Sequence, residues 1–429
     1  MNNVDIGRYS KRIMQYIWDP EPQNDQEPTM PIWCLGQKYN PHSTSDALLT
    51  GYDKQVVADG HEQPHGGDEH PAKSESDQGP QIRRQEDRAT HQPTAHHGWP
   101  EEFLKDFESK VWMTYRYNFH PIPRSDDRDS AQSLTLRVRI RNQLVDSQGF
   151  TSDAGWGCMI RSGQSLLANT LLLLQLDRDW RYGQKVEEEA KVLSLFVDHP
   201  NAPFSIHQFV QHGAESCGKH PGEWFGPSAT ARCIEALSSR CDSPRIRVYA
   251  LNDTSEVCEE RFMSIACDDS GAVQPTLILL GTMLGIGRVN PVYWDGLKAS
   301  LQVPQSVGIA GGRPSASHYF VGVQGSYLFY LDPHSTQPSL PYNEHGGQYS
   351  KKDVESYHTR RLRRLHVQNM DPSMLIGFLI RNREDWEDWS SRMSSVQGKP
   401  IIHVVHQTAP GCSQTREEAL DEVEVLDDE

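Results

Sequence analysis

The sequence has no long apolar run, no C-x-x-C pair and no excess of basic residues. Its longest strongly apolar run, Leu171 to Leu174, is far shorter than the ~20 residues that a membrane-spanning helix needs. The absence of a C-x-x-C pair among eight cysteines disfavours a zinc ribbon or a thioredoxin-like motif. The net charge of −16 argues against a general nucleic-acid-binding protein and against adhesion to anionic lipid by charge, because both need a basic face.

We expect no secretory leader, because residues 1–20 mix charges and aromatics and have no apolar signal core. The cysteines are too sparse for a disulfide scaffold. We therefore expect a soluble protein of a reducing compartment, with free thiols that can react. The apolar content of 36% is low for a packed protein, so part of the chain is expected to lie outside the core.

Composition divides the chain into four parts. Residues 1–52 are expected to form a partly ordered N-terminal segment. Residues 53–97 carry three large apolar side chains and six histidines, which predicts a disordered insert. Its histidines could suggest metal binding, but they show no regular ligand spacing. Residues 98–406 have the pattern of a globular domain, and residues 407–429 are expected to be an acidic disordered tail.

The order of helix and strand patterns favours an α+β fold over a doubly wound parallel sheet. Apolar spacing predicts helices over Glu101–Tyr117, Gly157–Leu176, Val186–Val197, Pro203–His212, Pro227–Leu237, Asn290–Leu301 and Asn382–Met393. Short β-branched or aromatic runs predict strands over Arg245–Leu251, Pro275–Gly281, Ser306–Ala310, His318–Val323, Tyr327–Leu331 and Leu375–Ile380. The first helix would carry Trp112 and Tyr115 on one face, where a core role is the default.

Cys158 is the first candidate for chemistry. It follows the turn sequence Gly155-Trp156-Gly157 and opens a predicted apolar helix. The unpaired N–H groups and the dipole at a helix N-terminus favour the thiolate, which is the nucleophilic form of cysteine. The flanking glycines would let a substrate backbone approach closely. The alternative is that Cys158 is simply a small buried apolar residue, as most free cysteines are.

A thiol nucleophile needs a base, and the base needs an orienting group. The predicted strand Tyr327–Leu331 runs directly into Asp332, Pro333 and His334. Because residues i and i+2 of an extended chain face the same side, Asp332 and His334 could both point into one cleft. The alternative is a turn with a satisfied histidine. His318, at the start of a neighbouring strand, is a rival base for Asp332, and the pattern leaves this choice open.

Several long motifs, found in the family's order, resemble the autophagins, the autophagy-related cysteine proteases that process a ubiquitin-like modifier. The segment from Thr151 to Gln164 resembles the family's nucleophile motif, and Tyr330 to Pro338 is similar to its Asp-Pro-His block. Further similar segments are Ile32–Gly36, Trp112–Arg116, Asp179–Arg181, Ser205–Gln208, Gly222–Pro227, Pro304–Pro314 and Met370–Phe378. The resemblance covers residues 30–52 and 99–394, and the insert at 53–97 has no counterpart.

The resemblance implies a papain-like α+β fold with a small α/β extension. It implies that Cys158 is the nucleophile, His334 the general base and acid, and Asp332 the group that orients His334. His318 would then be a neighbouring strand residue. No metal and no cofactor are expected.

Three further residues match family positions that contact substrate. The family's oxyanion-stabilising tyrosine matches Tyr115, against the core role that its spacing favours. The family's tryptophan and the proline of its regulatory loop match Trp224 and Pro314, which would clamp over the substrate glycine.

The resemblance also implies a substrate, partners and a location. We expect cleavage after the C-terminal glycine of a ubiquitin-like autophagy modifier, both in its precursor and in its phosphatidylethanolamine conjugate. Membrane contact would then come only through the conjugate, with no nucleic-acid partner. The expected locations are the cytoplasm, the nucleus and the autophagosome assembly site. The alternatives are a papain-like deubiquitinase, an acyltransferase acting on another modifier, and an inactive binding protein that keeps the fold.

Overall fold

The computed structural model describes residues 21–24, 29–41, 97–125, 149–252, 254–313, 316–343 and 349–406. Most of the N-terminal segment, the predicted insert except His97, and the predicted acidic tail lie outside these ranges. Pro314 lies outside them as well. The predictions for those parts of the chain therefore stay predictions.

Helices dominate the first half of the described chain. The α-helices are α1 (Glu101–Glu108), α2 (Cys158–Leu176), α3 (Val186–Ser194), α4 (Ile206–Ser216), α5 (Pro227–Arg240), α6 (Glu259–Ala266), α7 (Trp294–Gln302), α8 (Lys351–Glu355) and α9 (Arg383–Ser394). Two 3₁₀ turns cover Pro291–Tyr293 and Val367–Asn369.

Strands dominate the second half. They are β1 (Ile32–Cys34), β2 (Gln37–Tyr39), β3 (Tyr115–Ile122), β4 (Phe150–Ser152), β5 (Arg247–Asn252), β6 (Glu256–Cys258), β7 (Thr276–Met283), β8 (Ser306–Gly311), β9 (His318–Gln324), β10 (Tyr327–Leu331), β11 (Thr336–Pro338), β12 (Arg364–His366), β13 (Ser373–Ile380) and β14 (His403–Val405).

One large sheet organises the molecule. Its strands follow the order β12-β10-β9-β8-β13-β7-β5, and the β1–β2 hairpin joins it at β9. Neighbouring strands are antiparallel except β5 and β7, which run parallel. A small sheet of β11, β3 and β4 lies apart, with β11 parallel to β3, and β6 pairs with β14. The mostly antiparallel order agrees with the predicted α+β class.

The large sheet separates two hydrophobic cores. Leu277 and Leu279 of β7 face the first core, which also contains side chains of α2, α4 and α5. Ile278 and Leu280 of the same strand face the second core, with side chains of α6, α7 and α9. This alternation follows from the two-residue period of a strand. Both faces of the sheet are therefore covered by helices.

Helix α2 runs through the first core. Of its 19 residues, all but Leu174 and Gln175 are buried. A helix that is buried on all sides lies in the interior of a domain rather than on its surface. The central packing of α2 fixes its N-terminus, where Cys158 lies.

The first predicted helix is wrong in its second half. The helix over Glu101–Tyr117 ends at Glu108, and Tyr115 begins strand β3. Between them the backbone finds tertiary partners instead of helical ones: the N–H of Val111 donates to the side-chain oxygen of Asn169 on α2 (2.9 Å). Trp112 and Tyr115 are therefore not on one helix face.

The other predicted elements agree more closely. Each predicted strand matches an observed strand to within two residues at both ends. The helix predicted from Pro203 instead begins at Ile206, because the Ser205 side chain caps it by accepting a hydrogen bond from the N–H of Gln208 (3.3 Å). The three-residue strands were not predicted, since three residues show no measurable period.

The two-core arrangement predicts a large stability difference between two truncations. Leu279→Ala removes a side chain with no exposed surface and should lower the free energy of unfolding by about 2–5 kcal/mol. Val186→Ala, at a position 45% exposed, should change it by about 0.5 kcal/mol or less. Urea unfolding followed by circular dichroism would measure both. Equal effects would contradict the placement of Leu279 in the first core.

Candidate active site

Cys158 occupies the position that its sequence setting predicts. It is the first residue of α2, directly after Gly157, and it has no exposed surface. The turn before it is closed by the carbonyl of Asp153, which accepts the backbone N–H groups of Trp156 (3.1 Å) and Gly157 (2.9 Å). The thiol therefore lies at the N-terminus of a buried helix, where the dipole favours a negative charge.

Asp332 and His334 meet in a turn rather than along a strand. Strand β10 ends at Leu331, and Pro333 and His334 lie in the turn that follows. Asp332 Oδ1 accepts the backbone N–H of His334 (3.1 Å) and also the ring N–H at Nδ1 (2.5 Å). The two side chains do converge, as the i, i+2 argument predicts, but the turn is what brings them together.

The rival base His318 also lies in this cluster. Its Nε2 is 3.9 Å from Asp332 Oδ1, and its ring centre is 5.4 Å from that of His334. The shorter contact of Asp332 is with His334, so the geometry favours His334 as the imidazole that the carboxylate orients. His334 Nε2 is buried and has no hydrogen-bond partner among the described residues.

Burial and charge together tune the thiol and the imidazole. Burial alone would raise the pKa of Cys158, but the neighbouring His334, the N–H of Ser317 and the hydroxyl of Tyr115 lower it overall. Burial would lower the pKa of His334, yet its contacts with Asp332 and Cys158 raise it to about 10. The pair is therefore stabilised as a thiolate beside an imidazolium.

The carboxylate of Asp332 is held in its charged form. Burial would raise the pKa of Asp332, but His334, His318 and Arg363 keep it well below its usual range. Arg363 contacts the second carboxylate oxygen, with its Nη1 3.3 Å from Oδ2. The Trp112 indole N–H donates to the backbone carbonyl of Asp332 (2.6 Å).

Sequence reasoning did not identify Trp112 or Arg363 as contacts of Asp332. Both contacts depend on long-range packing. Trp112 lies 220 residues before Asp332, and Arg363 belongs to the run Arg360 to Arg364, which gives no sign of its ion pairs. No local signal in the sequence distinguishes these two residues.

Tyr115 lies beside both Cys158 and His334. Its ring meets the His334 ring edge-on at 5.4 Å, and its backbone N–H donates to the carbonyl of Pro333 (2.9 Å). Burial, followed by the charges of Cys158 and Asp153, raises its pKa well above the usual value. Its hydroxyl oxygen is buried and has no hydrogen-bond partner among the described residues. A neutral hydroxyl next to the thiol is thus available to donate to a substrate.

The predicted substrate clamp is only partly within the described chain. Trp224 lies in the loop between α4 and α5, and it packs half-buried against the first core. Pro314 lies outside the described residues. The role of these two residues over a substrate glycine stays a prediction.

One group of side chains offers the donor set of a metal site. His318, Asp332 and His334 each place a ligand atom within 4.8 Å of the others. The same carboxylate already accepts two hydrogen bonds from His334 and an ion pair from Arg363. These contacts match an orienting carboxylate beside an imidazole, and a positively charged neighbour disfavours a further cation.

A buried thiolate, an imidazole beside it and an orienting carboxylate are the parts required for nucleophilic catalysis on a carbonyl. The thiolate can attack, the imidazolium can protonate a leaving group, and the Tyr115 hydroxyl can stabilise a developing oxyanion.

Comparisons with known proteins agree with this chemistry. The chain matches the family described as peptidase C54 catalytic domain over residues 100–392. It is 61% identical over 430 residues to a probable cysteine protease atg4 of Aspergillus niger, with all of both chains covered. It is 58% identical to the cysteine protease atg4 of Emericella nidulans, covering all of this chain and 99% of that protein. It is 53% identical to a probable cysteine protease ATG4 of Coccidioides immitis, again over the whole of both chains.

The ion pair predicts that Cys158 reacts faster at neutral pH than the buried thiols Cys34 and Cys233. Burial raises the pKa of Cys34 to about 12, and a contact with Cys217, together with burial, raises that of Cys233. Iodoacetamide at pH 7 should therefore modify Cys158 before these two, as measured by mass spectrometry of tryptic peptides. His334→Ala should slow the modification of Cys158. Faster modification of Cys34 or Cys233 in the folded protein would contradict the assignment.

Proposed function

The chain belongs to the peptidase C54 family of cysteine proteases, and on this basis we propose that it cleaves after the C-terminal glycine of a ubiquitin-like autophagy modifier. The reaction would mature the modifier's precursor and release the modifier from phosphatidylethanolamine. The observation that carries the proposal is the convergence of Cys158, His334 and Asp332 in a chain that is similar over its full length to fungal Atg4 cysteine proteases.

The proposed reaction starts with the thiolate. Cys158 Sγ attacks the glycine carbonyl, and a C–S bond forms as the carbonyl electrons move to oxygen. The Tyr115 hydroxyl and the Cys158 backbone N–H donate to this oxyanion. His334 gives its proton to the leaving amine, and the C–N bond breaks. Water, deprotonated by His334, then hydrolyses the thioester and frees the glycine carboxylate.

The imidazole can perform both proton transfers because Asp332 holds it in one orientation. A proton on Nδ1 is kept by the 2.5 Å contact with Asp332, which leaves Nε2 for the reacting atoms. A carboxylate in this position selects the tautomer and stabilises the imidazolium without itself taking the proton. We therefore propose Asp332 as the orienting member of a Cys-His-Asp triad.

Specificity for glycine would come from steric exclusion. A channel narrowed by Trp224 and Pro314 would reject any side chain at the residue before the cleaved bond. Steric exclusion is effective against residues larger than glycine. A pocket that only adds apolar contact distinguishes two side chains that differ by one methylene by about 1–3 kcal/mol.

The proposed partners are the free precursor and its lipid conjugate. None of the described helices combines the length and apolar character that a membrane span requires. We propose that the enzyme reaches lipid through the conjugated modifier, and that it acts in the cytoplasm, in the nucleus and at the autophagosome assembly site.

A cleavage assay tests the substrate class. Wild type and Cys158→Ser would be incubated with an autophagy modifier that carries residues beyond its terminal glycine, with similarly extended ubiquitin as the control. We expect cleavage of the autophagy modifier alone, and none by Cys158→Ser, because a hydroxyl is not ionised beside His334. Cleavage of extended ubiquitin alone would indicate a deubiquitinase instead.

A pair of histidine variants tests the base. His334→Ala should lower kcat by about 10²–10⁴-fold, the usual contribution of a general acid–base group. His318→Ala should lower it less, because His318 is further from Asp332. Both are read from steady-state cleavage at pH 7, after circular dichroism confirms folding. A larger loss in His318→Ala would assign the base to His318.

A further inference from the structure

We propose that Asp153, held in place by Arg161, is a positioning residue that brings together the two oxyanion donors, the Tyr115 hydroxyl and the Cys158 backbone N–H. This inference rests on the proposed thiol-protease mechanism. It concerns a buried ion pair that is not needed to make the thiolate. The Asp153–Arg161 pair lies between β3, which carries Tyr115, and the start of α2, which carries Cys158.

The side chain of Asp153 links the strand of Tyr115 to the nucleophile turn. Asp153 has no exposed surface. Its Oδ1 accepts the backbone N–H of Arg116 (2.7 Å), the residue directly after Tyr115. The backbone repeats the link, since the N–H of Asp153 donates to the Arg116 carbonyl (3.3 Å). These contacts fix the peptide that follows Tyr115, and with it the direction of the tyrosine ring.

The backbone of the same residue sets the position of the second donor. The carbonyl of Asp153 accepts the N–H groups of Trp156 and Gly157, and so closes the turn that ends at Cys158. A Cβ at Gly157 would lie 2.4 Å from Asp153 Oδ2, so the carboxylate packs directly under the peptide that precedes the nucleophile. A shift of Asp153 would therefore move both donors relative to each other.

Arg161 locks this carboxylate. Its Nε donates to Asp153 Oδ2 (2.8 Å), and its Nη1 donates to Asp198 (2.8 Å) and to the side-chain oxygen of Gln164 (3.0 Å). Arg161 lies one turn after Cys158 on α2, yet its side chain is only 2% exposed. Nε and Nη1 are thus occupied by internal acceptors, while Nη2 is buried and has no hydrogen-bond partner among the described residues. A planar group with several fixed donors suits this double ion pair better than an ammonium.

The effect of Asp153 should fall on acyl transfer and spare the thiolate. Among the groups that lower the pKa of Cys158, His334 has the largest effect and Tyr115 the smallest. Asp153 contacts neither His334 nor Ser317 in the described structure, because its hydrogen bonds go to Arg116, Arg161 and the turn before Cys158. Alkylation by iodoacetamide needs the thiolate but forms no oxyanion. Hydrolysis of an ester or a peptide needs the thiolate and also donors that stabilise the oxyanion. The two reactions therefore separate positioning of the donors from activation of the thiol.

The test compares these two reactions in full-length Asp153→Asn. The asparagine can still accept from Arg116, but it loses the charge that Arg161 holds. We expect kcat to fall by about 10²–10³-fold, the loss that follows removal of one oxyanion donor. KM and the alkylation rate of Cys158 at pH 7 should stay within about threefold of wild type. Substrates are the extended autophagy modifier and acetylglycine p-nitrophenyl ester.

Asp106→Asn is the matched control. Asp106 also has no exposed surface and pairs with Lys110 and Arg178. Arg178 lies just beyond the far end of α2, about 28 Å from Cys158 along a 19-residue helix. We expect this variant to lose thermal stability without a selective loss of kcat.

A second variant covers a failure of Asp153→Asn to fold. Arg161→Lys keeps the positive charge between Asp153 and Asp198 but loses the planar fork. It should lower kcat by a smaller factor than Asp153→Asn, again with a near-normal alkylation rate.

Two results would overturn the inference. The first is a parallel fall in ester hydrolysis and alkylation, with a loss of stability like that of Asp106→Asn, which would mean that Asp153 only supports the fold. The second is normal kcat in both Asp153→Asn and Arg161→Lys. If wild type hydrolyses the ester but leaves the modifier intact, the substrate proposal fails, and the ester measurements still decide the role of Asp153.

Discussion

A charged thiol that is fully buried can exist only beside an opposite charge, and this constraint organises the site. Cys158 has no exposed surface, so water cannot stabilise its thiolate, and the dipole of α2 contributes only a partial charge. The compensating charge is the imidazolium of His334, which in turn depends on the carboxylate of Asp332. Asp332 is fixed from several directions, by His334, Arg363 and the indole of Trp112. Arg363 and Trp112 therefore act on the thiol indirectly, by fixing Asp332, which in turn stabilises the imidazolium of His334.

Strand β3 connects the two parts of this arrangement. At its first residue, the N–H of Tyr115 donates to the carbonyl of Pro333 in the turn that carries His334. At its second residue, the N–H of Arg116 donates to the Asp153 carboxylate, and the carbonyl of Arg116 accepts the N–H of Asp153, in the turn that leads to Cys158. A single strand therefore fixes the positions of these two turns relative to each other. The small sheet of β11, β3 and β4 aligns Tyr115 with the two turns, while the large sheet forms the rigid core on which they pack.

The parts of the site that were predictable from sequence are those with local signals. Glycines before an apolar run placed Cys158 at a helix N-terminus, and a strong strand before Asp-Pro-His placed Asp332 and His334 together. The role of Tyr115 could not be predicted from its spacing with Trp112, because the chain before it is not helical. The N–H of Val111 donates to the Asn169 side chain on α2, and the N–H of Trp112 donates to the carbonyl of Tyr357. Only the resemblance to a family pointed to it. The contact of Arg363 with Asp332 and that of Asp153 with Arg116 join residues that are far apart in sequence, which no periodicity reports.

The order of the segments along the chain has a consequence during synthesis. Tyr115 and Cys158 leave the ribosome long before His334, and β13, which lies in the middle of the large sheet, follows later still. Domains tend to form as units once their sequence has emerged. A nascent chain that contains Cys158 but not yet His334 lacks the imidazole that ionises this thiol. The thiol therefore keeps the low reactivity of an ordinary cysteine. Hydrolytic power thus appears only when translation of the domain is almost complete, and newly made neighbours are not exposed to a half-built protease.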